Sequence, residues 1–132
     1  MQGIEIKKLD KKVDERGCLV KLLMQQELKD ARQEFGEIYI TTAKPGVVKG
    51  NHYHPLATEW FFIISGQGKL ALCTAEGERR DISLSGDDPT IVKVPAGIRH
   101  AIKNVGTEDL ALLAYADHPY NPSDTIPADI RF

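Results

Sequence analysis

Cysteine is scarce: Cys18 and Cys73 are the two in 132 residues. They are too few for a disulfide framework and fit a reducing compartment such as the cytoplasm. Long apolar runs are missing as well. The longest, residues 110–116, falls far short of the about 20 residues that cross a bilayer, so no membrane role is expected. Neither charge sign is in excess. Lys+Arg number 17 against 19 Asp+Glu, a net charge of −2, without the basic surplus that a nucleic-acid scaffold carries. The N-terminal stretch is charged throughout and holds no apolar core of a secretory leader. Helical periodicity is nearly absent. Residues 25–35, where Leu28, Ala31 and Phe35 recur at helical spacing, give a short N-terminal helical segment at most.

What is present is a succession of short strands. Residues 18–23, 37–43, 58–65, 69–75, 79–84, 90–94, 100–104 and 109–117 are alternating, β-branched or aromatic, and glycine, proline or aspartate turn signals separate them. That rhythm predicts an all-β antiparallel sandwich or barrel. A chain of this length buries roughly 65–70% of its unfolded surface, so the expectation is a single domain. It divides into N-terminal strands and an insertion (1–36), a barrel (37–117) and an extended C-terminal arm (118–132) with Pro119, Pro122 and Pro127.

Histidines are few as well, and they carry chemistry: His52, His54, His100 and His118. His52 and His54 are two apart, so a regular strand shows both imidazoles on one face. Glu59 opens the next strand, where it can meet them across the ladder, and His100 follows the tight turn Pro95-Ala96-Gly97. Three imidazoles and a carboxylate suit a divalent ion, zinc first, with iron, manganese or nickel as alternatives. The competing reading of each histidine alone is a hydrogen-bonded structural or surface side chain.

The joint spacing carries a resemblance. Gly46-x5-His52-x-His54-x4-Glu59-x6-Gly66 resembles the first cupin motif, and Pro95-x-Gly97-x2-His100-x3-Asn104 the second. The glycine expected six residues before Pro95 is missing; Gly86 lies nine before it. The resemblance implies a cupin, a double-stranded β-helix or jelly-roll barrel, with an interior metal at His52, His54, Glu59 and His100.

A second resemblance covers about residues 4–127. Asp14-Glu15-Arg16-Gly17, Phe35-Gly36-Glu37-Ile38-Tyr39, Pro45-Gly46-Val47-Val48-Lys49, His52-Tyr53 and Pro119-Tyr120 are similar to the dTDP-4-keto-6-deoxyhexose 3,5-epimerases and related sugar-nucleotide epimerases and ketoisomerases. It implies an isomerase acting beside the ketone of a nucleotide-linked 4-keto-6-deoxy sugar, in polysaccharide or deoxysugar biosynthesis, and a homodimer. By the same resemblance His52 is the catalytic base, and Arg16 and Lys49 contact the diphosphate of the sugar nucleotide. Tyr115 or Tyr120, near the strand and arm that would cap the barrel mouth, is the candidate opposing acid, core packing being the competing reading of Tyr115, and Tyr39 is a further candidate for holding the substrate. Those epimerases read His-Tyr-Gln and work without a metal, whereas this chain has His54 and Glu59. An imidazole whose lone pair holds a metal is not also a free base, so His52 is ligand or base in any one state. The alternatives are a metal-dependent cupin enzyme (dioxygenase, isomerase or cyclase) on a small organic molecule, or a non-catalytic ligand-binding cupin.

Overall fold

A computed structural model describes residues 1–28 and 35–132. The strands are β1 (Glu5–Lys8), β2 (Lys11–Asp14), β3 (Gly17–Val20), β4 (Glu37–Ala43), β5 (Val48–Tyr53), β6 (Glu59–Ser65), β7 (Gln67–Cys73), β8 (Arg79–Ser85), β9 (Thr90–Val94), β10 (Arg99–Asn104), β11 (Leu110–Ala116) and β12 (Ile126–Pro127). One five-stranded sheet runs β1-β9-β6-β11-β4, a second runs β12-β5-β10-β7-β8, and β2 and β3 form a hairpin of their own. All named pairings are antiparallel, so the expected all-β barrel is present. Of the helical candidate over residues 25–35, Gln25–Leu28 is a single 3₁₀ turn, and residues 29–34 lie outside the described residues. Among the described residues no helix is long and apolar enough to cross a membrane.

The core follows from strand alternation. Phe61 and Ile63 of β6, Leu112 and Ala114 of β11, Leu70 and Leu72 of β7 and Ile102 of β10 pack between the sheets. The central strands β6 and β11 are covered on their other face too. Trp60, Tyr115 and Ile91 form a second apolar cluster there, under Leu22, Leu23 and Leu28 from the segment after β3. Burial on both faces explains why β6 reads as an almost continuous apolar run instead of an alternating one.

The C-terminal arm does not hang free. β12 pairs with β5, Ile126 opposite Tyr53 and Pro127 opposite His52. Beyond it, Ile130 is buried against Ala71 and Ala101 on the outer face of the second sheet.

Candidate metal centre and cleft

His52 is aimed by an irregularity in β5. Gly50 and Asn51 adopt left-handed φ values of 82° and 62°, and the β10–β5 register slips between His100 and Ala101, leaving His100 opposite His52. A Cβ at position 50 would stand 3.3 Å from the His100 carbonyl oxygen, so glycine lets the two strands approach here. Asn51 tolerates the left-handed region better than most residues, and the arm holds it there. Its Nδ2 donates to the Ile130 carbonyl at 3.0 Å, and its Oδ1 accepts the Ile130 N–H at 2.8 Å. Bulges of this kind re-aim side chains next to functional sites.

His54 lies just beyond β5 and His100 near the start of β10. The Nδ1–H of His54 donates to the Asp124 carbonyl at 2.8 Å, and that of His100 to the Ile98 carbonyl at 3.1 Å. Each bond fixes the tautomer and leaves Nε2 with its lone pair facing inward. Glu59 opens β6 in the opposite sheet. It therefore meets the histidines across the gap between sheets, which corrects the expectation of contact along a ladder. Its Oε2 accepts the Tyr39 hydroxyl at 2.7 Å. Its Oε1 lies 2.7 Å from His54 Nε2 and 3.5 Å from His100 Nε2.

The donor atoms of His52, His54, Glu59 and His100 all lie within 4.8 Å of one another. Glu59 Oε1 and His100 Nε2 are buried without a well-formed hydrogen bond, a condition native structures rarely leave unexplained. Imidazole lone pairs and a carboxylate facing one another repel unless a cation stands between them. The convergence therefore fits a divalent ion held by three nitrogens and one oxygen.

The ionisation of the cluster is consistent with that. Burial, reinforced by His100 and His54, pulls the pKa of His52 down to about 4, so its imidazole is neutral at pH 7. Burial also disfavours charge on His54, but the neighbouring Glu59 carboxylate outweighs it and raises its pKa. Burial pushes Glu59 up, yet the adjacent His100 and His54 rings and the bond from the Tyr39 hydroxyl hold it below the usual carboxylate range. Burial, then the charge of Glu59, raises the Tyr39 phenol, which stays protonated as a donor.

The cluster forms the floor of a cleft between β4 and β5. Two cavities, of about 250 and 110 Å³, share Tyr39 and His52 as lining residues. Lys49 lines the larger, its Nζ donating to Thr41 Oγ1 at 3.1 Å. Tyr120 and His118 of the arm line the smaller.

Two expected site residues lie elsewhere. Tyr115 cannot be the opposing acid. It sits on the outer face of β11 with Trp60 and Ile91, because its neighbours Ala114 and Ala116 take the inward-facing positions of the strand. Arg16 is at the tip of the β2–β3 hairpin, paired with Asp14 at 2.7 Å, and lines a separate surface depression with Lys12 and Leu19. Within one copy it does not reach the cleft.

The sequence offers Asp117, Asp124 and Asp129 as candidate carboxylates to pair with a catalytic histidine, and the structure gives Asp124 a different task. Its buried carboxylate accepts the N–H groups of Leu56 at 2.8 Å and Ala57 at 3.2 Å, fixing the loop between His54 and Glu59. Asn121-Pro122-Ser123-Asp124 is a readable turn signal, but nothing local shows where that turn docks.

A family model described as "Polysaccharide biosynthesis C-terminal domain" matches residues 12–126. The spore coat polysaccharide biosynthesis protein SpsL of Bacillus subtilis (strain 168) is 27% identical over 92% of this chain and 83% of its own length. A UDP-2-acetamido-2,6-beta-L-arabino-hexul-4-ose reductase of Pseudomonas aeruginosa is 31% identical over 82% of this chain, which spans 27% of that longer protein. Among solved structures, a dTDP sugar isomerase of Desulfovibrio desulfuricans superposes with a TM-score of 0.85 over 97% of this chain and 85% of its own, at 20% identity. The barrel is thus the one that isomerase adopts.

Proposed function

The chain belongs to the polysaccharide biosynthesis C-terminal domain family, and we propose that it is an isomerase moving a proton on a carbon beside the ketone of a nucleotide-linked 4-keto-6-deoxy sugar. The observation that carries this reading is the four-donor cluster in the floor of a cleft with Lys49 at one end and Tyr120 at the other. The relatives' names support the substrate class: one acts on a UDP-linked hexul-4-ose and another is a dTDP sugar isomerase.

Breaking a C–H bond beside a ketone leaves an enolate whose oxygen needs nearby positive charge. A divalent ion held by the cluster would supply that charge without a proton transfer; the ion we propose is zinc, whose preferences three imidazoles and a carboxylate match. His52, His54, Glu59 and His100 would hold it; the Nδ1 bonds of His54 and His100 and the Tyr39 hydroxyl on Glu59 keep those three in register. Lys49 offers a point charge to the diphosphate. Tyr39 shapes the cleft wall at the junction of the cavities, its hydroxyl committed to Glu59. Tyr120 supplies the returning proton.

Arg16 can meet a diphosphate only if a second copy brings its hairpin over the cleft. Val13 and Leu19 on the hairpin and Ile38 and Ile40 on the outer face of β4 are exposed, apolar surface that a homodimer would cover. Light scattering should show a dimer; a 14.7 kDa species would refute it.

Deuterium wash-in from D₂O tests the reaction. The zinc-loaded protein should place deuterium beside the ketone of UDP-2-acetamido-2,6-dideoxy-4-ketohexose or dTDP-4-keto-6-deoxyglucose. Retention of protium in both overturns the isomerase reading.

A further inference from the structure

The fourth histidine lies outside the metal cluster, and its surroundings are built with care. Asp117, directly after β11, is 4% exposed. Its backbone N–H donates to the Thr58 carbonyl at 3.1 Å, and its Oδ1 accepts the Thr58 N–H at 2.9 Å. That reciprocal pair locks the carboxylate to the residue preceding β6. The same Oδ1 accepts the Nδ1–H of His118 at 2.8 Å.

Three consequences follow. Donation from Nδ1 fixes the tautomer, so Nε2 of neutral His118 is an acceptor. Nε2 has no hydrogen-bond partner among the described residues, while the ring lines the same about 110 Å³ cavity as His52, His54, Glu59 and Tyr120. The Thr58 N–H and main chain fix the Asp117 carboxylate, and the fixed carboxylate in turn orients the imidazole. A carboxylate-held imidazole with a free nitrogen facing a cavity is equipped to take a proton.

We propose that His118, held by Asp117, is the catalytic base, and that His52, which the motif resemblance assigns to that role, serves as a cluster donor instead. The proposal rests on the isomerase reading above. The C–H bond beside the ketone breaks; its proton goes to His118 Nε2 and its electron pair into the enolate. The Tyr120 hydroxyl returns a proton to the opposite face of the carbon. His118 then releases its proton to solvent through its partly exposed edge, and the tyrosinate regains one from solvent, so the protein ends unchanged. A cavity of this size takes the reacting edge of a sugar ring and leaves the diphosphate along the cleft toward Lys49. Asp117 is a positioning residue, since among the described residues its hydrogen bonds go to His118 and the Thr58 backbone.

The test is deuterium wash-in with the zinc-loaded protein and the same two nucleotide sugars. His118→Gln should slow exchange about 10²–10⁴-fold with zinc content and melting temperature unchanged, and millimolar imidazole should partly restore His118→Ala. Asp117→Asn should lose less. If the wild type exchanges and His118→Gln matches it, the base assignment falls and the isomerase reading stands. If the wild type does not exchange, both fall. Loss of zinc or fold in His118→Gln, with no imidazole rescue of His118→Ala, marks a structural role and overturns the proposal.

Discussion

His54 Nδ1 donates to the backbone carbonyl of Asp124, 70 residues away along the chain, at 2.8 Å. A cluster donor on the barrel is thereby oriented by the C-terminal arm. The same residue's carboxylate takes two N–H groups of the loop that links His54 to Glu59. Asp124→Ala leaves both donors without a partner in a poorly hydrated place, a cost of about 1–3 kcal/mol each. It also loosens the acceptor of His54, and partners of this kind are worth about 10–100-fold in metal affinity. Urea unfolding and zinc competition titration should show both losses. Asp124→Asn, which keeps one acceptor oxygen, should recover part of each. Unchanged zinc affinity in Asp124→Ala would show that the arm does not orient the cluster.

Removing a donor tests the cluster itself. His54→Ala and Glu59→Gln should each lower the zinc content of purified protein well below one equivalent. Glu59→Gln keeps the shape and can still accept from Tyr39, so its loss would report charge. Full zinc occupancy in either variant would remove that residue from the donor set.

Much of the barrel is legible because its strands obey local rules. Residues 37–43 and 90–94 were delimited by alternation and flanking turn residues, and the structure has strands at those positions. The cluster is legible because His52, His54, Glu59 and His100 are the sparse residues of a spaced pattern. Tyr115 misleads because alternation gives two faces without saying which is inside. β11 is buried on both, and the helical spacing after β3 does not show that Leu22, Leu23 and Leu28 pack over its outer face. Which of the candidate carboxylates Asp117, Asp124 and Asp129 meets a histidine, and what the others hold, is not legible for a different reason. Asp124 and Asp117 each depend on a contact more than 50 residues distant in sequence, and an isolated aspartate near a turn looks the same whether it docks or not.

Tyr39→Phe isolates one bond. The phenol hydroxyl donates to Glu59 Oε2 at 2.7 Å, and its loss leaves a second oxygen of a buried carboxylate unpartnered in the metal-free protein. A destabilisation of about 1–3 kcal/mol is expected, measured by chemical denaturation after chelation. Zinc binding neutralises the same carboxylate, so the loss should shrink in the loaded protein. An equal loss with and without zinc would mean the hydroxyl matters for packing alone.

The metal-free protein should be most stable near pH 6.5. His52 is depressed from 6.5 to about 4 in the fold. As pH falls through that window the unfolded chain takes a proton the folded chain refuses, and stability is lost. Glu59 is depressed as well, so its contribution, present above the ordinary carboxylate range, fades on further acidification. His54 works in the other direction. Its pKa is raised, so its contribution is complete below 6.5 and is lost as pH rises through the folded value. Melting temperatures of chelated protein from pH 4 to 9 should trace a dome with both limbs. His52→Asn should flatten the acid limb between 6.5 and 4, and His54→Asn the alkaline one. Zinc should lift the curve most at neutral to alkaline pH, because protons compete with the ion for the same nitrogens. A metal-free curve that rises steadily toward pH 4 would mean that His52 is not held neutral among the other imidazoles.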